Sequence, residues 1–131
     1  ENEEENFELI SLSIQVKSFQ SFLILSEIED DYLNENETNI AKKLNEILIK
    51  KNTDRLNILL MAVKFKSEDV LEFLLKFSST LPNQFTFELW KEALAIALIG
   101  RVTIFFSKKI GTSTFFQKFS YIFKKIFKKF L

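Results

Sequence analysis

The chain has 131 residues, of which 47% are hydrophobic and 27% are charged, a balance typical of a folded domain rather than a disordered segment. With two glycines and one proline it has too few turn residues for a fold of tight β-hairpins, so the composition predicts an all-α protein. It has no cysteine and no histidine, which excludes disulfides, thiol nucleophiles, imidazole bases and most transition-metal sites. We therefore expect no cofactor, no metal and no enzymatic activity.

The net charge is zero, but acidic and basic residues are concentrated at opposite ends of the chain. Residues 1–40 carry eleven acids and one base, Lys17, whereas the chain from Arg101 onward carries eight bases and no acid. Such an asymmetry indicates either a tail that faces a polyanion or two ends that attract each other. Because the first residue is Glu1 rather than methionine, we expect a fragment or a processed product.

The first third of the chain contains an acidic start, one apolar stretch and one acidic stretch. Residues 1–6 are acidic and are expected to be frayed. Residues 7–28 (FELISLSIQVKSFQSFLILSEI) fit both the alternation of a strand and the spacing of helices. Residues 29–37 are polar and acidic, which predicts a loop, and residues 38–51 have the apolar stripe of an amphipathic helix.

The centre of the chain repeats the pattern of its first apolar stretch. Residues 56–77 (LNILLMAVKFKSEDVLEFLLKF) predict two short helices joined by a turn at residues 66–68. With an offset of 49 residues, residues 9–25 align with residues 58–74, and apolar positions largely match apolar positions. The alignment also pairs Lys17 and Ser18 with the identical Lys66 and Ser67. We interpret residues 7–28 and 56–77 as two copies of one helical hairpin, hairpin 1 and hairpin 2.

The last third of the chain is predicted to contain further helices. Residues 78–85 include the one proline and predict a loop. Residues 86–110 predict a third hairpin with a break at Gly100, and residues 112–131 predict a basic, phenylalanine-rich terminal helix. The apolar run at residues 93–106 is too short to span a membrane, which requires roughly 20 apolar residues.

Hairpin 2 resembles an ankyrin repeat. In that family a short helix carries a T-P-L-H-x-A box, and a second helix carries an aliphatic pair and a leucine pair. Residues 57–62 (NILLMA) occupy the box, and Leu59 and Ala62 match its leucine and alanine. At the family's spacing, the two pairs of the second helix are matched by Val70 and Leu71 and by Leu74 and Leu75. The usual turn glycines are replaced by Lys66 and Ser78, and the resemblance is weaker over hairpin 1.

The resemblance implies stacked helical hairpins, a short degenerate ankyrin-like α-solenoid that forms a single domain over residues 1–131. It also implies a non-catalytic protein–protein interaction module, which we expect to be part of a longer array because the ends of a short solenoid expose apolar faces. A cytoplasmic location accompanies this interpretation. The residues that another protein would meet on the exposed side of hairpin 2 are Lys64, Lys66, Glu68 and Glu72.

The terminal segment suggests a different function. Its phenylalanines and isoleucines recur at helical spacing, and its lysines cluster on the other side: Lys118, Lys124, Lys125, Lys128 and Lys129. A basic amphipathic helix over residues 114–131 can lie on an anionic membrane surface or dock in a groove of a partner. We favour a third role, in which the helix closes the stack and shows its lysines to water. Nucleic acid is a weaker candidate, because arginines are few and the phenylalanines are needed for packing.

Carboxylate groups provide the remaining alternatives. The acids within residues 29–37 have the oxygen chemistry of Ca²⁺ or Mg²⁺ ligands, but they lack the spacing and central glycine of an EF-hand loop, so a solvated charge run explains them better. A compact helical enzyme would need paired carboxylates for acid–base chemistry. The candidates are Asp69, Glu72, Glu88 and Glu92, but nothing beside them supplies a nucleophile or a phosphate cradle.

Overall fold

The secondary structure is entirely helical in the part of the chain that the structure describes. The computed structural model of the chain describes residues 3–106, 120–121, 123–125 and 128. For residues 101–106 it describes the backbone alone. This confirms the all-α class. The chain divides into two compact units, Glu1–Phe85 and Thr86–Leu131, where the sequence predicted a single domain.

The helices of the first unit are short and follow one another closely. They are α1 Glu3–Gln15, α2 Phe19–Leu25, α3 Glu29–Leu33, α4 Glu37–Leu48, α5 Ile58–Lys64 and α6 Glu68–Lys76. The second unit contains α7 Phe87–Phe106 and the helical residues 120–121, 123–125 and 128.

The structure differs from the sequence prediction at three places. Residues 1–6 were expected to be frayed, but α1 begins at Glu3, where three glutamates in the first turn interact favourably with the helix dipole. Residues 29–37 were expected to be a loop, but the acids at residues 29–31 begin α3, whose Tyr32 packs on Phe73. Residues 86–110 were expected to break at Gly100, but α7 continues through it, because one glycine weakens a helix by only about 1 kcal/mol.

Four helices of the first unit, α1, α2, α3 and α5, end in the same turn. The residue after each helix cap has a left-handed backbone, with φ of 61° at Lys17, 60° at Glu27, 54° at Glu35 and 57° at Lys66. At the end of α1, the amide of Lys17 donates to the carbonyl of Ile14, and the amide of Ser18 donates to the carbonyl of Ser13. This pair of hydrogen bonds defines a Schellman turn, in which the left-handed residue is usually glycine. The chain therefore builds glycine-type turns with charged residues.

Two of these turns lead directly into a residue whose side chain caps the next helix. The Oγ of Ser18 accepts a hydrogen bond from the amide of Ser21 at the start of α2 (3.3 Å). The Oδ1 of Asn36 accepts one from the amide of Asn39 at the start of α4 (3.3 Å). Ser67 precedes α6 without a side-chain cap, and its backbone carbonyl accepts the first helical hydrogen bond, from the amide of Leu71. These caps satisfy free groups at helix ends and hold consecutive helices at sharp corners.

The two hairpins share their hydrogen bonds as well as their sequence pattern. In hairpin 2 the amide of Lys66 donates to the carbonyl of Val63, and the amide of Ser67 donates to the carbonyl of Ala62. These are the bonds of the α1–α2 turn shifted by 49 residues. The hairpins also contact each other, α1 with α5 and α2 with α6, while α4 contacts α3 and α5.

An aromatic cluster joins α2, α3 and α6, and its central member is the buried ring of Phe73. The ring centroid of Phe73 lies 5.5 Å from Phe19, 6.2 Å from Phe22, 5.7 Å from Tyr32 and 5.5 Å from Phe77. All four contacts are edge-to-face, the arrangement that the charge distribution of aromatic rings favours. Hairpin 2 is thereby fastened to hairpin 1.

In the second unit, an aromatic contact joins α7 to Phe123. The Trp90 ring of α7 lies edge-on to Phe123, with the ring centroids 6.4 Å apart, and both side chains are buried. Thr86 caps α7 by accepting a hydrogen bond from the amide of Leu89 (3.2 Å).

Candidate interaction surface

Hairpin 1 exposes an apolar surface that a small protein would normally bury. Leu9, Leu12 and Val16 follow one another at i, i+3 and i+7 on α1, and their exposed fractions are 49%, 51% and 63%. This spacing places the three side chains on one stripe, away from the stripe of Phe7, Ile10 and Ile14 that faces the core. The nearby helix α2 exposes 51% of Ile24. We call Leu9, Leu12, Val16 and Ile24 the hairpin 1 face.

Hairpin 2 has apolar residues at the same four positions, but there they are covered. The 49-residue offset pairs Leu9 with Ile58, Leu12 with Met61, Val16 with Phe65 and Ile24 with Phe73. Ile58 and Met61 have no exposed surface, Phe73 has 4%, and Phe65 is half-buried. Phe73 is covered by Phe19 and Phe22 of hairpin 1. Hairpin 1 therefore shows to water the face that hairpin 2 buries.

Two carboxylates lie next to the hairpin 1 face. Glu5 lies one turn before Leu9 on α1, and Glu8 lies one turn before Leu12, so both are neighbours of the stripe on the helix surface. Over residues 3–28, which comprise hairpin 1 and the start of α1, the charged residues are all exposed and comprise five acids and one base: Glu3, Glu4, Glu5, Glu8, Glu27 and Lys17. Residues 3–28 therefore carry a net negative charge, and Glu5 and Glu8 place part of it next to the stripe.

The residues predicted to bind a partner lie around the turn of hairpin 2. Lys64 is exposed, and its Nζ lies 4.0 Å from an oxygen of Asp54 and 5.6 Å from the ring centroid of Phe65. Lys66 and Glu68 are half-buried, and Glu72 is exposed one turn further along α6. The structure describes every residue of hairpin 2, and all of its large hydrophobic side chains are buried or half-buried. The four predicted residues thus form a polar surface without an apolar centre.

The lysines of the terminal segment are solvated where the structure describes them. Lys124, Lys125 and Lys128 are exposed, and the Nζ of Lys125 lies 4.6 Å from the ring centroid of Tyr121. Phe123, which is also helical, is buried against Trp90. Lys118 and Lys129, also predicted to face a membrane, lie outside the described residues.

The acidic stretch after α2 has a structural role. Lys43 of α4 donates to a carboxylate oxygen of Asp31 on α3 (2.9 Å) and to the carbonyl of Glu27 in the α2–α3 turn (2.6 Å). Asn39 donates to the other carboxylate oxygen of Asp31 (3.2 Å). The hydrogen bonds from Lys43 and Asn39 hold the pKa of Asp31 below its ordinary value of 3.8. This junction fastens α3 and the preceding turn to α4.

The other chemical alternatives have little geometric support in the described part of the chain. No group of three or more acidic side chains there is placed to hold a metal ion. Asp69 and Glu72 are exposed on α6, and Glu88 is exposed with an oxygen 3.7 Å from the Nζ of Lys91. Glu92 is exposed on α7.

A groove of about 290 Å³ lies between the start of α4 and the end of α6. Its buried floor is formed by Ala41 and Phe77, and its rim contains Glu37, Thr38, Lys76 and Thr80. One ammonium and one carboxylate on an open rim form no catalytic pair of the kind that acid–base chemistry requires.

Comparisons with protein-family models, curated proteins and solved structures found no match to this chain. The resemblance to ankyrin repeats therefore stays a prediction from the sequence. Within the described residues, no helix combines the length and the apolarity needed to cross a lipid bilayer.

Proposed function

We propose that this protein is a non-catalytic protein–protein interaction module, built as a short ankyrin-like stack of helical hairpins, and that it binds its partner through the hairpin 1 face. The observation that carries the proposal is the difference between the two copies. Leu9, Leu12 and Ile24 are exposed in hairpin 1, although the matching residues of hairpin 2 are buried. In a stack of repeats, such a face belongs to the next unit or to a partner. A cytoplasmic location stays part of this prediction.

The size and composition of the face suit a binding site. An apolar centre with a charged margin is the usual organisation of protein interfaces, and covering a Leu or Ile side chain contributes about 1.5–3 kcal/mol. Leu9, Leu12, Val16 and Ile24 each retain about half or more of their surface for a partner to cover. The four side chains lie on helices joined by a hydrogen-bonded Schellman turn, so little backbone ordering is needed upon binding.

Site-specific photocrosslinking tests the proposal. A photoreactive amino acid replaces Leu12 in the full chain, and the protein is irradiated in an extract of its native cells. We expect a discrete product that contains another protein and that disappears when Leu9→Glu is added. The control places the photoreactive residue at Leu33, which is exposed on α3 outside the face. Absence of a product at Leu12, or a product that persists with Leu9→Glu, would reject the proposal.

The predicted binding residues of hairpin 2 can be tested in the same extract. The double substitution Lys64→Glu with Glu72→Lys reverses two exposed charges of that surface. If Lys64, Lys66, Glu68 and Glu72 form the binding site, the Leu12 product is lost in this variant; if the hairpin 1 face is the site, the product remains.

A membrane-surface protein is the second candidate function, favoured by the exposed Lys124, Lys125 and Lys128. Against it, Phe123 would have to enter the lipid, and its ring packs on Trp90. Flotation of the full chain with vesicles that contain anionic lipid distinguishes the two functions. Membrane attachment requires binding that weakens with salt and with Lys124→Gln and Lys128→Gln, and absence of flotation would reject it.

A further inference from the structure

We infer that the hairpin 1 face takes a cationic amphipathic helix of a partner protein, one with an apolar stripe flanked by lysine or arginine. This inference rests on the proposed function and adds the chemical class of the partner. It follows from three observations: the shape of the face, the element that covers its counterpart in hairpin 2, and the charge at its margin.

The shape of the face suits a helix. Leu9 and Val16 are seven residues apart on α1, which corresponds to about 10 Å along the helix axis, or two turns. Ile24 is exposed on the adjacent helix α2, at the position that matches the buried Phe73 of hairpin 2. Two turns of a partner helix present three or four apolar side chains at i, i+3, i+4 and i+7, which matches the size of the face.

The protein itself provides an example of this kind of packing. Helix α5 contacts α1, and the matching stripe of α5, Ile58 and Met61, is fully buried. Within the first unit, apolar helix stripes are therefore covered by other helices. The described residues of that unit form no strand that could cover them.

The carboxylates next to the hairpin 1 face favour a partner helix with positive charge. Glu5 and Glu8 lie one turn from Leu9 and Leu12, and Lys17 is the one base among the charged residues of the range 3–28. A partner helix with lysine or arginine beside its apolar stripe gains favourable contacts with these carboxylates, whereas an acidic helix is repelled. The gain is largest in the association rate and is reduced by salt, because the carboxylates are exposed.

Three synthetic peptides test the charge selection. Each is an amphipathic helix with the same leucine stripe, and the residues that flank the stripe are lysine, glutamine or glutamate. Fluorescence anisotropy measures binding of each labelled peptide to the full chain at low and high salt. We expect the lysine peptide to bind at least about tenfold more tightly than the glutamate peptide, and we expect this ratio to fall as salt is added.

Matched variants locate the binding site. Leu9→Gln with Leu12→Gln should weaken binding of the lysine peptide about tenfold or more, whereas Leu33→Gln on α3 should leave it unchanged. Glu5→Gln with Glu8→Gln should reduce the preference for lysine over glutamate. The control, Glu46→Gln with Glu72→Gln, removes the same number of exposed carboxylates outside hairpin 1 and should keep the preference.

The outcomes separate this inference from the proposed function. If the Leu12 crosslink forms but the peptides bind without regard to flank charge, or do not respond to Leu9→Gln with Leu12→Gln, the inference is wrong and the proposed function stands. If the crosslink fails, the proposed function is rejected first. If sedimentation shows that the full chain dimerises and that Leu9→Glu abolishes the dimer, the occupant is a second copy, and the inference is wrong.

Discussion

The left-handed residues of the four Schellman turns carry long side chains where most proteins use glycine. For residues with a Cβ atom this backbone conformation is unfavourable by roughly 1–2 kcal/mol. The turns form nevertheless, because two backbone hydrogen bonds close each helix end and the following residue begins the next helix. Local strain at Lys17, Glu27, Glu35 and Lys66 is therefore offset by the packing of the helices that the turns connect.

The replacement Lys66→Gly should stabilise the protein. Glycine adopts the φ of 57° at this position without steric conflict, and its greater freedom in the unfolded chain offsets part of the gain, so we expect an increase of about 0.5–1 kcal/mol. Urea unfolding followed by circular dichroism measures the change. The matched control is Lys64→Gly in the last turn of α5, which should lower stability by up to about 1 kcal/mol. Loss of stability in Lys66→Gly would show that the lysine side chain makes a necessary contact.

Asp31 should make the stability of the first unit depend on pH in the acid range. Its pKa is lowered in the folded state by the hydrogen bonds from Lys43 and Asn39, so the folded protein binds that proton less readily than the unfolded chain. The contribution is present above the ordinary value of 3.8 and is lost as pH falls through the folded-state pKa. We expect Asp31→Asn to be less stable than the native chain at pH 7 and the difference to shrink below pH 3.8.

Denaturant unfolding at pH 7 and at about pH 2.5 tests this expectation for Asp31. The neighbouring Asp30→Asn is the control, because Asp30 is exposed and makes no hydrogen bond to Lys43. A stability difference between Asp31→Asn and the native chain that is equally large at both pH values would contradict the electrostatic origin of the effect.

At the scale of elements, the aromatic cluster connects the two hairpins. Phe73 is buried at its centre, and we expect Phe73→Ala to destabilise the protein by about 3–5 kcal/mol, through lost burial and the cavity left behind. Tyr32→Ala should have a smaller effect, because Tyr32 is 37% exposed. A double-mutant cycle between the two should give a coupling of about 0.5–1.5 kcal/mol, as expected for an edge-to-face pair. Additive effects of the two substitutions would show that the rings do not interact.

The sequence predicted elements well where local signals decide and poorly where tertiary contacts decide. The spacing of apolar residues and the repeated Lys–Ser pair indicated both hairpins, and the structure has helices, turns and caps at those positions. Helix α3 was missed because its sequence is acidic and polar, and its contacts are made by Tyr32 with Phe73 and by Asp31 with Lys43. The break predicted at Gly100 was wrong because one glycine lowers the stability of a long helix only slightly.

The candidate surface shows the same limit. The 49-residue alignment already paired Leu9 with Ile58 and Leu12 with Met61, so the sequence contained the stripe. Periodicity identifies an apolar face but does not indicate whether a neighbour covers it. Only the comparison of burial between the two copies showed that one face is covered and the other exposed. Of the charged residues near the hairpin 2 turn, which the sequence favoured, Lys64 and Glu72 are exposed, whereas Lys66 and Glu68 are half-buried.

At the scale of the whole molecule, the first unit should fold by itself. Glu1–Phe85 contains both hairpins, the aromatic cluster and the Lys43 junction, and a chain of this length is large enough to form its own core. We expect a fragment of residues 1–85 to show a helical spectrum and a cooperative urea transition. We also expect it to bind the lysine-flanked peptide within about twofold of the affinity of the full chain, because the hairpin 1 face lies wholly within it. The fragment with Phe73→Ala is the control and should lose much of its stability, since the ring fastens hairpin 2 to hairpin 1. A fragment that unfolds gradually, or that resembles its Phe73→Ala variant, would show that the core of the first unit is incomplete without the rest of the chain.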